Sequence, residues 1–255
     1  MSVAIYFHPE AYSTSGPKLM GRNAAGESFL RGYARNSTSS EFWIQVENTK
    51  HVQHFTETMR AAGRLEPIHV IQKHTLQQLS NAGVVYHPGP GIGEGARHRS
   101  IFGVQSWSLC GITHTTSSAG AMDAVVDLVT APVNPWDALI CTSNSVKANV
   151  TQIIEAQLGY LRDRLGITQT VLPQLPVIPL GIHAQDFKFP IASKAVSRTA
   201  LGIDSDSIVV LYMGRLSFHA KAHPLAMYQS LEIAAGETGK KLVLIECGWH
   251  ANDHI

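Results

Sequence analysis

The residues best suited to chemistry are two cations just beyond an apolar run. Val209-Val210-Leu211-Tyr212-Met213 is followed by Gly214 and Arg215, and Lys221 lies six residues past the arginine. A run of this kind predicts a buried parallel strand. In open α/β sheets, ligands sit beyond the carboxyl ends of the strands. Placed there, Arg215 forks two hydrogen bonds to phosphate oxygens, Lys221 adds a point charge and Gly214 lets the backbone turn. A strand ending in solvated basic residues is the alternative reading.

A second group of candidates lies earlier in the chain. Gly21-Arg22-Asn23-Ala24-Ala25-Gly26 reads as a glycine-containing loop leading into a helix. Amides at a helix start attract anions, and glycines permit close approach. Gly21 is thus a phosphate-side candidate, and Arg22 and Asn23 could contact donor phosphate or acceptor. His114 follows an apolar strand and opens the polar run Thr115-Thr116-Ser117-Ser118, of which Ser117 or Ser118 is suited to cap the next helix. An ordinary connecting loop and a structural histidine are the competing readings. Glu27 and Asp123 are the nearest carboxylates, but neither stands out as a general base.

Two other patterns carry less. The glycines of Gly89-Pro90-Gly91-Ile92-Gly93-Glu94-Gly95 resemble a dinucleotide fingerprint. Arg97-His98-Arg99 follows instead of a helical apolar stripe, so a loop is expected. His219 and His223 have metal-like spacing but no third ligand, so no metal is called for. No cofactor is called for either.

The composition excludes several classes. With 44% apolar and 15% charged residues over 255 positions, the chain is globular. A formal net charge of +1 offers no basic face for nucleic acid. Cys110, Cys141 and Cys247 form neither a metal motif nor a disulfide framework, consistent with a reducing compartment. No apolar run approaches the ~20 residues of a membrane span. A cytoplasmic location, with the alternative of peripheral membrane association, is the expectation.

The elements that must position these residues alternate. Strands are expected at 3–7, 42–46, 68–71, 84–86, 105–112, 137–141 and 176–180, with helices at 24–34, 51–62, 74–82, 118–128 and 145–165. This order predicts an α/β fold with a parallel sheet covered on both faces. After a connector with a short helix at 193–201, a fresh strand-helix-strand unit follows at 208–213, 224–236 and 242–246. The domains expected are 1–190 and 191–255, the second only begun. Two strands and one helix are marginal alone, so apolar edges at 209–212 and 242–245 are expected to invite self-association.

Four ordered motifs resemble the family-4-type retaining glycosyltransferases of GT-B fold: Gly21 to Leu30, Trp136 to Lys147, Val177 to Ile182, and Gly214-Arg215-Leu216 through Lys221. The resemblance covers nearly the whole chain. It implies a Rossmann-type acceptor-side domain followed by an incomplete Rossmann-type nucleotide-sugar domain. It also implies transfer of a sugar, with retention, from a nucleotide-sugar to a carbohydrate or lipid-linked acceptor. Arg215 and Lys221 would be the catalytic, phosphate-binding pair, with Gly21 and Gly214 beside the phosphates. Arg22, Asn23 and His114 would face acceptor or sugar. The chain departs from the pattern at His183, where the family has aspartate, and in its Arg215–Lys221 spacing, one residue longer. The family's two glutamates seven residues apart, which hold donor sugar and ribose, are absent. A truncated chain with little or no turnover is therefore expected. The alternatives are a GT-B-like sugar-nucleotide epimerase or hydrolase and a non-catalytic acceptor-binding module.

Overall fold

The computed structural model describes residues 2–16, 18–217, 221 and 223–250. They divide into two compact units. One runs up to Thr14 and resumes over Gly21–Ile182; the other joins Ser15–Met20 to the chain from His183 onward.

The first unit is built on six parallel strands: β1 (Ala4–Tyr6), β2 (Phe42–Gln45), β3 (Ile68–Ile71), β4 (Val84–Tyr86), β5 (Ser108–Thr113) and β6 (Ala138–Cys141). Their order is β3-β2-β1-β4-β5-β6, so the winding direction reverses between β1 and β4. Period-2 alternation sends Ala4, Val85, Leu109 and Leu139 to one face and Ile5, Ile44, Tyr86 and Ile112 to the other. On the second face pack α1 (Pro9–Tyr12), α2 (Gly21–Asn36) and α3 (Thr49–Ala61), through Tyr12, Leu30, Phe55 and Met59. On the first lie α4 (Leu79–Ala82), α5 (Ile92–Phe102), α6 (Ala119–Asp127) and α7 (Asn144–Leu165). Each large apolar side chain so buried contributes roughly 1.5–3 kcal/mol.

Three sequence expectations need correction. Residues 176–180 form no ladder strand; they run beside β6 through isolated bridges at Gln174 and Val177. Pro173, Pro176 and Pro179 each lack the N–H that a continuous ladder needs. The segment 21–26 is no loop, because α2 already begins at Gly21. Gly26 serves packing instead: a Cβ there would stand 1.8 Å from the Ala11 carbonyl oxygen, so its absence lets α2 lie against α1. The glycine run at 89–95 is also largely helical, opening α5. A Cβ on Gly93 would meet the Asp127 carboxylate at 2.1 Å, so this glycine admits α6 rather than a dinucleotide.

A buried ion pair ties the sheet to α5. Arg99 and Asp137 are both fully buried, joined by Nη1–Oδ1 at 2.6 Å and Nη2–Oδ2 at 2.8 Å. Arg99 also donates to the Trp107 and Pro132 carbonyls, while Asp137 accepts from the Leu109 and Asn134 amides.

The second unit pairs β7 (Ile208–Met213) with β8 (Leu242–Cys247) in parallel, connected through α9 (Pro224–Thr238); α8 (Ser193–Ala200) precedes them. Ile208, Leu211 and Met213 on β7 are exposed.

Candidate functional site

In the first unit, the candidates gather past the carboxyl ends of β4 and β5. Arg22 is exposed in the first turn of α2 and lines a cavity of about 230 Å³ with His8, Glu10, Ala11 and Pro88. His114 follows β5 directly. Its imidazole pKa is held below the ordinary value, first by burial and then by the nearby Arg22 guanidinium, with the Pro88 carbonyl acting in the opposite direction. Arg22 and His114, 92 positions apart in the chain, are thereby neighbours around Pro88.

Asn23 has a structural task. It is buried, and its amide donates to the Glu10 carbonyl, holding α1 on α2. Gly21 is the first residue of α2 and is exposed. Ser118 caps α6 by accepting from the Ala121 amide, and Thr116 Oγ1 accepts from Asn149 at 2.7 Å, which anchors the loop carrying His114. Glu27 is engaged with Arg31 at 3.5 Å, and Asp123 is exposed on α6. The exposed Arg22 guanidinium can donate to hydroxyl groups, whereas Nδ1 of His114 is buried and without a hydrogen-bond partner.

In the second unit, Gly214 and Arg215 extend β7. The Gly214 amide donates to the Cys247 carbonyl at 2.9 Å and the Leu216 amide to Trp249 at 3.0 Å, so pairing with the β8 segment continues past both strands. Tyr212 donates its hydroxyl to the Arg215 carbonyl at 3.0 Å. The Arg215 guanidinium lies 5.9 Å from the centre of the Trp249 ring, and Lys18 Nζ lies 5.8 Å from the same ring. The indole N–H donates to the Leu19 carbonyl at 2.6 Å, fixing the platform. Two cations thus lie within about 6 Å of one indole ring, and the guanidinium of Arg215 carries the planar donor fork that matches phosphate oxygens. Lys221 is exposed in a turn, its amide donating to the Ser217 carbonyl.

Sequence reasoning singled out Arg215 but not Lys18 and Trp249, which the structure places beside it or beside the same ring. Neither sits in a motif, and only the fold of residues 15–20 against the β8 extension joins them. Among the described residues, no group of three or more His, Cys, Asp or Glu side chains could hold a metal ion. His219 lies outside the described residues. No described helix is long and apolar enough to cross a membrane.

The class of fold is α/β and GT-B-like: a Rossmann-type parallel sheet of six strands, then a second β-α-β unit. No family model matches the chain, and no curated protein matches it. Solved structures of HepE from Anabaena do share its fold. The complex with UDP aligns with a TM-score of 0.57 at 13% identity, covering 98% of this chain and 70% of that one. The complex with UDP and glucose gives 0.53 at 12% identity over 97% and 70%, and that with UDP-glucose 0.52 at 12% over 97% and 69%.

Proposed function

We propose that the chain is a nucleotide-sugar-dependent glycosyltransferase acting with retention. In this reading residues 1–190 form the acceptor-side domain, and residues 191–255 belong to the nucleotide-sugar-binding domain. The observation that carries it is the Arg215–Lys18 cluster on Trp249 beyond the carboxyl end of β7. Its weight comes from a fold shared over 98% of the chain with a protein crystallised with UDP.

When the glycosidic bond of the donor breaks, negative charge grows on the leaving diphosphate. Preorganised donors aimed at that charge lower the barrier most. Arg215 offers a fork beside the indole, Lys221 an exposed ammonium, and Gly214 a close approach for the phosphate. Gly21, at the positive end of α2, is a candidate anion contact within the first unit. Arg22 and the neutral His114 orient the acceptor hydroxyl, and Asn23 supports Arg22 by anchoring the start of α2. Retention needs no pair of carboxylates of the kind hydrolases use, in keeping with the absence of an evident base.

Calorimetric titration with UDP tests the reading. Each charge-assisted contact contributes about 1.5–3 kcal/mol, so Arg215→Ala should weaken UDP binding roughly 10- to 150-fold. No UDP binding by the wild type, or equal binding by the variant, refutes the assignment. Transfer from UDP-glucose, followed by the anomeric configuration of the product, tests retention.

A further inference from the structure

A larger cavity, of about 540 Å³, lies in the first unit and uses none of the residues assigned above. It opens where the sheet order reverses between β1 and β4, the crevice in which open α/β sheets take ligands. Tyr6, which ends β1, and His87, which follows β4, stack there with ring centres 5.2 Å apart.

The cavity has two chemically different ends. Its mouth carries Glu47 and Glu94, both exposed, with Lys73 as the one lysine or arginine of the lining. The Tyr6 hydroxyl donates to Glu47. The inner wall is apolar, made by Leu76 and Leu79 on one side, Val85 and Leu109 on the sheet, and Trp107. Glycines keep it open. A Cβ on Gly95 would stand 3.2 Å from Leu109 Cδ2 and 3.3 Å from His87 Nε2, and one on Gly91 would meet nothing within 4 Å.

Two carboxylates against one ammonium repel an anion, so a phosphate or nucleotide does not suit this mouth. Carboxylates do accept strong hydrogen bonds from hydroxyls. The leucine and tryptophan wall rewards an apolar group that water would otherwise have to hydrate. We propose that this cavity binds an uncharged, hydroxyl-bearing ligand with an apolar tail, the chemistry of an alkyl or aryl glycoside. Its hydroxyls would meet Glu47 and Glu94, and its tail would lie against Leu79 and Leu109. The proposal does not depend on the nucleotide reading, since nothing in the cavity would touch a diphosphate.

The test is calorimetric titration of the full chain with octyl glucoside below its micelle concentration. Glucose and octyl phosphate serve as arms lacking the tail or reversing the charge logic. Saturable one-to-one binding of octyl glucoside is expected, at least tenfold tighter than either arm. Gly91→Phe places a ring in open space at the mouth, at a position whose φ is negative and whose Cβ would meet nothing within 4 Å. It should weaken binding at least tenfold while leaving the melting temperature in place. Glu47→Gln with Glu94→Gln should relax the exclusion of octyl phosphate at least fivefold. Absent saturation, equal binding of octyl phosphate, or undiminished binding by a folded Gly91→Phe protein each overturns the proposal.

Discussion

Replacing Arg99 with methionine tests the least replaceable interaction in the first unit. The guanidinium makes four hydrogen bonds in a site with no solvent exposure: two to Asp137 and one each to the Trp107 and Pro132 carbonyls. Methionine keeps much of the stem's volume, so the main loss is electrostatic. Asp137 would remain fully buried, held only by the Leu109 and Asn134 amides. Removing one partner of a buried pair costs about 3–5 kcal/mol, because the other charge stays uncompensated. Urea unfolding followed by the fluorescence of buried Trp107 should show that loss in the first unit. Adding Asp137→Asn to Arg99→Met should cost far less than the sum of the single changes, because the asparagine leaves no stranded charge. A loss below about 1 kcal/mol for Arg99→Met, or strict additivity in the cycle, would refute this account.

Gly26→Val should destabilise the first unit by at least about 2 kcal/mol through overpacking against the α1 backbone, whereas Gly32→Val, whose Cβ meets open space, should be neutral or slightly stabilising because valine is the better helix former; chemical denaturation of both separates packing from propensity. Burial pushes the His87 pKa down to about 4, so the unfolded chain takes up the extra proton first as the pH falls. Stability should be level above about pH 6.5 and decline toward pH 4, by up to about 3 kcal/mol from this group. His51 and His114 are shifted in the same direction and add to the slope; His87→Asn should flatten the profile, and an unchanged profile would contradict the burial. Trp249→Ala should weaken UDP binding by removing the platform beneath Arg215 and Lys18, with a shallower salt dependence if the two cations separate; undiminished binding by calorimetry would show that the indole does not organise them. The exposed apolar side chains of β7 should give self-association that grows with protein concentration in sedimentation velocity.

Much of the architecture was legible because parallel strands buried on both faces must be apolar along their length. β2, β3 and β4 fall where apolar runs and turn residues place them, and α9 starts at Pro224; β7 has the bounds its apolar run predicts but is not buried, contrary to the expectation. Misreadings occurred where local composition points one way and packing another. The segments 21–26 and 89–95 look like loops because glycine disfavours helix, yet Gly26 and Gly93 are there to admit a neighbouring helix. The 176–180 run looks like a strand because it is apolar, yet its prolines leave too few donors for a ladder.

The amino-acid order alone determined the α/β alternation, the fresh strand-helix-strand unit after residue 190 and the place of Arg215 just past a strand, since those depend on periodicity and nearest neighbours. Only tertiary structure decided that His114 lies beside Arg22, that Trp249 carries both Lys18 and Arg215, and that Tyr6, Glu47 and Glu94 share one cavity. Those residues are tens to hundreds of positions apart. No local rule brings them together, because their proximity is set by the order in which strands join the sheet.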